Sequence, residues 1–397
     1  MRALSLATVF AALSGFVVIY LASWTLDTAQ YGAFQAYWGL FFAATGFLDG
    51  IMQETTRGVS SVRETGRVGS GRPWRLGAWV GGAVFVLAAV VGLLWLPVLL
   101  RGTAPVGAAT GFLAFGLLTY AFQAVLSGVL SGLGLWRRYA WLVALDSGVR
   151  LVLALVAWQL GGGLPAFLVI TVVGALSWLI VLWGVPRGVL VDVSRTALTR
   201  RAGSAMLATG ASAALITGFP VFVQSTSEPG AGTVVTVAGI INAVTLTRAP
   251  ILVPLQRFQS ALIVRFVEQR DTLYRALAVP VLAVLGLGVV GAVLAWLLGP
   301  WILDTLFQPD LFVPGGLLAV LTFASACTGS LIVTGAATLA SELHRSYVVG
   351  WVTASVVAFG VLWLAPLSLE AGVCVALTVG PLAGGLVHAL ALRRSPV

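Results

Sequence analysis

Three charged side chains stand where an apolar sequence can least accommodate them. Arg150 lies about eleven residues into the apolar run Tyr139–Gly161, and Asp146 sits one helical turn earlier on the same face. Arg248 lies inside the run Thr233–Pro254, about nine residues or roughly 13 Å from Arg257, with no acidic residue three or four positions away. An ionisable group at such depth costs several kcal/mol unless it is paired or hydrated. A guanidinium fork matches phosphate oxygens, so either arginine is a candidate grip for a phosphorylated ligand. The competing reading for Arg150 is a mutual ion pair with Asp146 that lets its helix pack. For Arg248 it is a carboxylate from another helix, Asp49 or Asp146.

A second group gathers where the next apolar run gives out. Glu54 and Arg57 stand at i,i+3, and Gln53 and Arg57 at i,i+4, the spacing of a solvated helix end. Arg57 is also a ligand-binding candidate. Asp49 is deeper: it gates a cavity by pairing with Arg248, carries a coupling proton or cation, or makes a local cap or pair. Asp49, Asp146 and Glu54 are thus the gating or ion-coupling candidates. Asn242, Thr245 and Thr247 make the run around Arg248 polar, and Pro250 and Pro254 are expected to bend it, freeing carbonyls that suit a hydrated cavity. Gln123 and Gln224 are further polar groups within apolar runs. Covalent chemistry finds no purchase. Cys327 and Cys374 read as small buried hydrophobes, there is no C-x-x-C and no metal-ligand cluster, and no catalytic residue, metal or cofactor is expected.

The elements that must hold these residues follow from composition. Of 397 residues, 59% are hydrophobic and only 9% charged, too few polar groups to cover a soluble body. A span needs about 20 apolar residues. Twelve such runs are legible: Ala3–Leu26, Ala33–Gln53, Leu76–Leu100, Val106–Gly132, Tyr139–Gly161 and Pro165–Val185, then Gly203–Thr226, Thr233–Pro254, Ala276–Leu303, Leu311–Leu339, Tyr347–Trp363 and Ala371–Leu392. The first run follows Met1-Arg2 without an A-x-A cleavage site and reads as a retained helix.

The formal charge of +9 suggests a nucleic-acid partner until its placement is considered. All 22 basic residues are Arg, and with an inside N-terminus nineteen fall in cytoplasmic segments, among them Arg57–Arg75, Arg137, Arg138, Arg187–Arg201, Arg257–Arg275, Arg345, Arg393 and Arg394. Outer loops hold Arg101 beside Asp27, Glu228, Asp304, Asp310 and Glu370. A missed helix would scramble that alternation, so both termini are read as inside and no nucleic-acid partner is expected. The outer loops are too short for an extracytoplasmic transferase site, and no Gly-x-x-x-x-Gly-Lys-Ser/Thr loop is present for a nucleotide-driven pump. Movement across the membrane is what this shape permits.

The chain also echoes itself. Gly134-Leu-Trp-Arg-Arg-Tyr139 aligns with Glu342-Leu-His-Arg-Ser-Tyr347, Leu93–Leu100 resembles Leu297–Leu303, and the turns Asp27–Gly32 and Glu228–Gly232 occupy equivalent places. Two parallel six-helix lobes are expected, residues 1–190 and 191–397, joined through the arginine-rich loop.

Four segments carry a family likeness: Leu26-Asp-Thr-Ala-Gln-Tyr-Gly-Ala-Phe34, Phe47-Leu-Asp-Gly-Ile51 followed by Arg57, Leu130-Ser-Gly-Leu-Gly-Leu-Trp-Arg-Arg-Tyr139, and Gly299-Pro-Trp-Ile-Leu-Asp-Thr-Leu-Phe307. In these the sequence resembles the polysaccharide-biosynthesis flippases (O-antigen type) of the multidrug/oligosaccharidyl-lipid/polysaccharide exporter superfamily. Gln308 replaces the Gly with which the family often ends the last segment, and no Lys is present. The resemblance implies an all-α, twelve-helix transporter of the bacterial inner membrane that turns a lipid-linked sugar to the outer leaflet. The implied partners are membrane lipids, the lipid-linked substrate and envelope glycosyltransferases. Under it, Arg248, Arg150, Arg57, Gln123, Gln224 and Asn242 are the substrate-binding candidates, the amides toward sugar hydroxyls. A multidrug or small-solute exporter of the same superfamily is the alternative. A major-facilitator carrier would carry Gly-x-x-x-Asp-Arg-x-Gly-Arg-Arg, of which Glu64-Thr-Gly-Arg67 is only a partial echo.

Overall fold

The computed structural model describes residues 2–186, 188–227, 235–268 and 273–394. Arg187, Arg270 and the turn Glu228–Gly232, used above for charge placement and the repeat, lie outside them, as do the side chains of Arg2, Arg257 and Arg275. Every regular element among the described residues is helical. Ten helices are each long and apolar enough to cross a membrane: α1 (Arg2–Thr25), α3 (Pro73–Leu100), α4 (Val106–Gly132), α5 (Trp136–Gln159), α6 (Leu164–Val181), α8 (Val237–Glu268), α9 (Leu273–Leu306), α10 (Gly315–Ala340), α11 (His344–Leu364) and α12 (Leu369–Arg394). An eleventh, α7, is a broken span whose limbs Arg195–Ile216 and Phe219–Thr226 meet at 52°.

The twelfth, α2 (Thr28–Thr65), is 38 residues long. Residues 28–47 carry no charge and suit lipid, whereas the second half holds Asp49, Glu54, Arg57, Arg63 and Glu64. Asp27 caps its start by accepting from the Gln30 amide at 2.8 Å, and Gly66, at φ 70°, closes its end. The helix therefore runs three further turns past Gln53, where the expected span ended.

Small residues let these helices approach closely, which is how spans associate where lipid removes the hydrophobic drive. On α3, Gly77 and Gly81 lie against Val125 and Leu118 of α4. On α12, a Cβ added at Gly380 would come within 2.7 Å of the Ala354 carbonyl, and one at Gly384 within 2.5 Å of the Gly350 carbonyl. The outward surfaces of α3 and α9 are apolar, with Trp79, Leu94, Trp296 and Leu297 all well exposed, as contact with acyl chains requires.

The chain forms two compact units, Met1–Ala213 and Ala214–Val397, which divide within α7. In the first unit the Thr209 hydroxyl donates to the Phe47 carbonyl, and Gly210 lies against the Phe47 ring. The aligned turns of the two halves share one conformation. Gly134 has φ 73° and Glu342 φ 61°, the following Leu135 and Leu343 have ψ 54° and 55°, and each Leu amide donates five residues back, to Leu130 and Thr338.

Candidate functional site

In the first unit, α1, α2, α4 and α5 enclose a cavity of about 390 Å³. Its polar lining gathers Asp49, Gln123, Asp146 and Arg150, four of the residues singled out by type and depth, together with Tyr120 and Tyr139. Arg150 is 4% exposed. Its Nη1 meets Asp146 Oδ2 at 2.5 Å and its Nε donates to the Thr171 carbonyl at 3.1 Å. The guanidinium sits 5.1 Å from the centroid of the Phe42 ring. Gln123 Nε2 donates to the second Asp146 oxygen at 3.2 Å. Arg150 Nη2 is buried with no hydrogen-bond partner among the described residues.

The local sequence explains why an arginine fits there. Span α6 changes to a 3₁₀ turn at Gly174–Leu176, just beyond the Thr171 carbonyl that accepts from Arg150. A Cβ at Gly174 would lie 2.5 Å from Arg150 Cζ, so the glycine makes the room that the guanidinium fills. Asp49 accepts from the Tyr120 hydroxyl at 2.8 Å. Neither tyrosine is among the site residues expected from type and depth. Tyr120 stands three residues before Gln123 on one face of α4, and Tyr139 seven before Asp146 on α5, and that helical spacing was the available signal.

Arg57 and Glu54 do not line this cavity. They form a separate network at the arginine-rich end. Arg57 Nη2 meets Glu54 Oε1 at 2.7 Å, while Nη1 and Nη2 fork onto both oxygens of Asp192 at 3.0 and 2.9 Å. Hydrogen bonds to Glu54 and then Asp192 push the Arg57 pKa up, and the bond from Arg57 pulls that of Asp192 down. Asp192 belongs to a segment that pairs with the α2–α3 loop through Gly69 N to Val191 O, 2.8 Å, and Gly71 N to Val193 O, 2.9 Å. Arg57 therefore fastens α2 to that segment.

In the second unit Arg248 is 6% exposed and makes no ion pair among the described residues. Its Nη1 donates to the carbonyls of Leu215 and Ile216 at 3.2 and 2.9 Å, the last carbonyls of the first α7 limb. Pro220, near the start of the next limb, has no amide to continue the helical ladder. The cation also lies 5.1 Å from the Phe219 ring centroid. Nε and Nη2 are buried without hydrogen-bond partners among the described residues. Freed carbonyls do meet Arg248, and they come from the break in α7, whereas Pro250 and Pro254 lie within the continuous α8. Thr245 and Thr247 turn their hydroxyls to the carbonyls of Ile241 and Ala243 on their own helix. Gln224 and Asn242 are buried, on α7 and α8 respectively.

No family profile matches the chain. It is 39% identical over 399 residues to uncharacterized protein Rv1510 of Mycobacterium tuberculosis, covering 98% of this chain and 90% of that protein. Over 393 residues it is 39% identical to uncharacterized protein Rv3630 of the same organism, covering 97% and 90%. Among solved structures it resembles an inward-facing multidrug resistance MATE family transporter of the MOP superfamily, with a TM-score of 0.70, 17% identity and coverage of 98% and 96%. The lipid II flippase MurJ in an inward closed conformation matches with TM-score 0.70, 12% identity and coverage of 100% and 88%. At these identities the likeness is one of fold.

Proposed function

We propose a transport function from the premise that the chain belongs to the family of the Mycobacterium tuberculosis proteins Rv1510 and Rv3630. In this reading it is a multi-pass protein of the bacterial inner membrane with six-helix halves 1–190 and 191–397. By alternating access it turns a polyprenyl-diphosphate-linked sugar or oligosaccharide from the inner to the outer leaflet. The lipid tail stays in the bilayer while the head group passes through, and envelope glycosyltransferases supply the substrate. No covalent step is involved.

The observation that carries the reading is Arg248. It is a buried cation inside a span, and among the described residues it binds no carboxylate and two of its nitrogens, Nε and Nη2, find no acceptor. An anion such as a diphosphate supplies both the missing acceptors and the missing charge. The fold shared with MurJ, a lipid II flippase, supports the same class of cargo. Gln224 and Asn242 then serve the sugar. In the other half Asp49 and Asp146 serve gating or ion coupling, with Arg150 and Gln123 at the same cavity.

The test is complementation of a flippase-deficient strain. Arg248→Ala and Arg150→Ala variants, matched to wild type in expression, should fail to restore growth and should accumulate lipid-linked intermediates. Full rescue by both variants would end the reading.

One observation favours a second reading, an ion-coupled multidrug or small-solute exporter. The first-unit cavity sets two carboxylates, Asp49 and Asp146, against the single Arg150, which suits a cation better than a diphosphate. Resistance to cationic dyes conferred by the wild type and lost in Asp49→Asn, without rescue of the flippase-deficient strain, would establish it instead.

A further inference from the structure

A second cavity, of about 510 Å³, opens at the arginine-rich end of the first unit and shares no lining residue with the first. Arg72, Arg75 and Trp79 line one side from the start of α3, and Arg195 and Thr199 the other from the start of α7. Among the described residues no carboxylate lines it, so the cleft carries the three positive charges of Arg72, Arg75 and Arg195. Its walls are fixed relative to each other. Gly71 exchanges backbone hydrogen bonds with Val191 and Val193 at 3.1 and 2.9 Å, which brings Arg72 beside the segment leading into Arg195. A Cβ at Gly71 would meet Val191 Cγ2 at 2.6 Å, so this seam admits only a small residue.

The order of side chains along α3 identifies the ligand. At 100° per residue, Arg75, Trp79, Val86, Val90 and Leu93 fall on one stripe of the helix, and Arg72 is the extended residue that precedes its first turn. Trp79 is 70% exposed, Val86 60%, Val90 54% and Leu93 56%. From Trp79 to Val90 the stripe runs about 16 Å, close to the hydrocarbon depth of one leaflet, half of about 30 Å. Cations at the head, an aromatic ring at the interface and bare aliphatic side chains below reproduce the layers of a phospholipid from phosphate to acyl chain. A free anion has no use for that stripe, and a protein partner would have to enter the bilayer to cover it.

We infer that this cleft binds an anionic phospholipid of the cytoplasmic leaflet. Its phosphate lies among Arg72, Arg75 and Arg195, and one acyl chain lies along α3 below Trp79. The site rests on the placement of the arginines toward the cytoplasm, and does not depend on which solute the protein carries.

Native mass spectrometry of the full chain, released from detergent with added phosphatidylglycerol or phosphatidylcholine, tests it. Wild type should retain phosphatidylglycerol in preference to phosphatidylcholine. R72Q/R75Q/R195Q should lose most of that retention, about fivefold for each arginine removed. The charge-matched control R345Q/R393Q/R394Q should keep it, and millimolar inorganic phosphate should not displace it. Equal retention by the cleft triple, equal loss in both triples, equal retention of phosphatidylcholine, or displacement by inorganic phosphate would each overturn the assignment. If the triple variant fails to fold, R75Q alone removes one exposed side chain. A loss of about fivefold in that variant supports the site, and no loss refutes it. Failure of Arg248→Ala to complement leaves all these outcomes unchanged, so the two readings stand or fall separately.

Discussion

Arg150 and Arg248 solve the same problem in two halves of one chain, and differ in one partner. Each is buried within a span, donates to backbone carbonyls near an interruption in a neighbouring helix, and lies over a phenylalanine ring. Arg150 also holds Asp146. Arg248 holds neutral carbonyls alone among its described hydrogen bonds. The first arrangement neutralises its cation internally and can persist without a ligand. The second leaves a full positive charge to be matched. Broken helices thus let lipid-embedded arginines exist, and the carboxylate decides whether the charge is spent on structure or left for an anion.

Removing the carboxylate should have the largest effect. Asp146→Ala leaves Arg150 buried and uncompensated, which should cost about 3 kcal/mol or more, while Asp146→Ala/Arg150→Met should recover much of it. Thermal unfolding in detergent across that double-mutant cycle measures the coupling. Near-additive losses would show that Arg150 is held mainly by Thr171 and the rings, and the contrast with Arg248 would dissolve.

The matching change in the second unit should be milder for stability and harsher for function. Arg248→Met removes two hydrogen bonds to carbonyls but also removes an unpaired charge, for a net cost of about 1 kcal/mol. Complementation should nevertheless be lost. A destabilisation as large as that of Asp146→Ala would mean that Arg248 is chiefly a staple for the α7 break.

Much of this was legible in the residues, for reasons that differ by element. The spans and their alternation follow from apolar length and arginine placement, both local properties. Asp146 and Arg150 lie on one helix, so their pairing could be read from an i,i+4 spacing. The carbonyl partners of Arg248 stand more than thirty residues away, at a break marked only by Gly218-Phe-Pro220. Asp192 was equally hidden as the partner of Arg57, because it is brought there by a loop pairing with no side-chain signature. Tyr120 and Tyr139 carry no charge to mark them in an apolar run, and only the cavity gives their hydroxyls a place.

The Arg57–Asp192 contact is the partly exposed counterpart of these buried cations, and should be correspondingly weak. The Arg57 side chain is 41% exposed, so Asp192→Asn should cost no more than about 1 kcal/mol. The sign of its pH dependence is fixed. Asp192 has a depressed pKa in the folded protein, so its contribution is complete above the free carboxylate value of about 4 and is withdrawn as pH falls through the lower folded value. Melting temperature against pH, wild type beside Asp192→Asn, should converge on the acid side. Curves that stay parallel would show that the contact contributes nothing measurable.

The smallest effect belongs to the pair of turns that share one backbone conformation. Gly134 and Glu342 hold the same left-handed conformation, yet only glycine adopts it without steric cost. Glu342→Gly should relieve the second turn and stabilise by about 0.5 kcal/mol, because part of the relief is offset by the greater freedom of glycine in the unfolded chain. Gly134→Ala should do the reverse and more, since a Cβ there adds strain at φ 73° and meets Arg63 Nη1 at 2.7 Å. Unfolding midpoints of the two variants should therefore move in opposite directions from wild type. Movement in the same direction would show that the side chain of Glu342 holds its turn by contacts the glycine turn lacks, and that the two turns reach one backbone shape by different means.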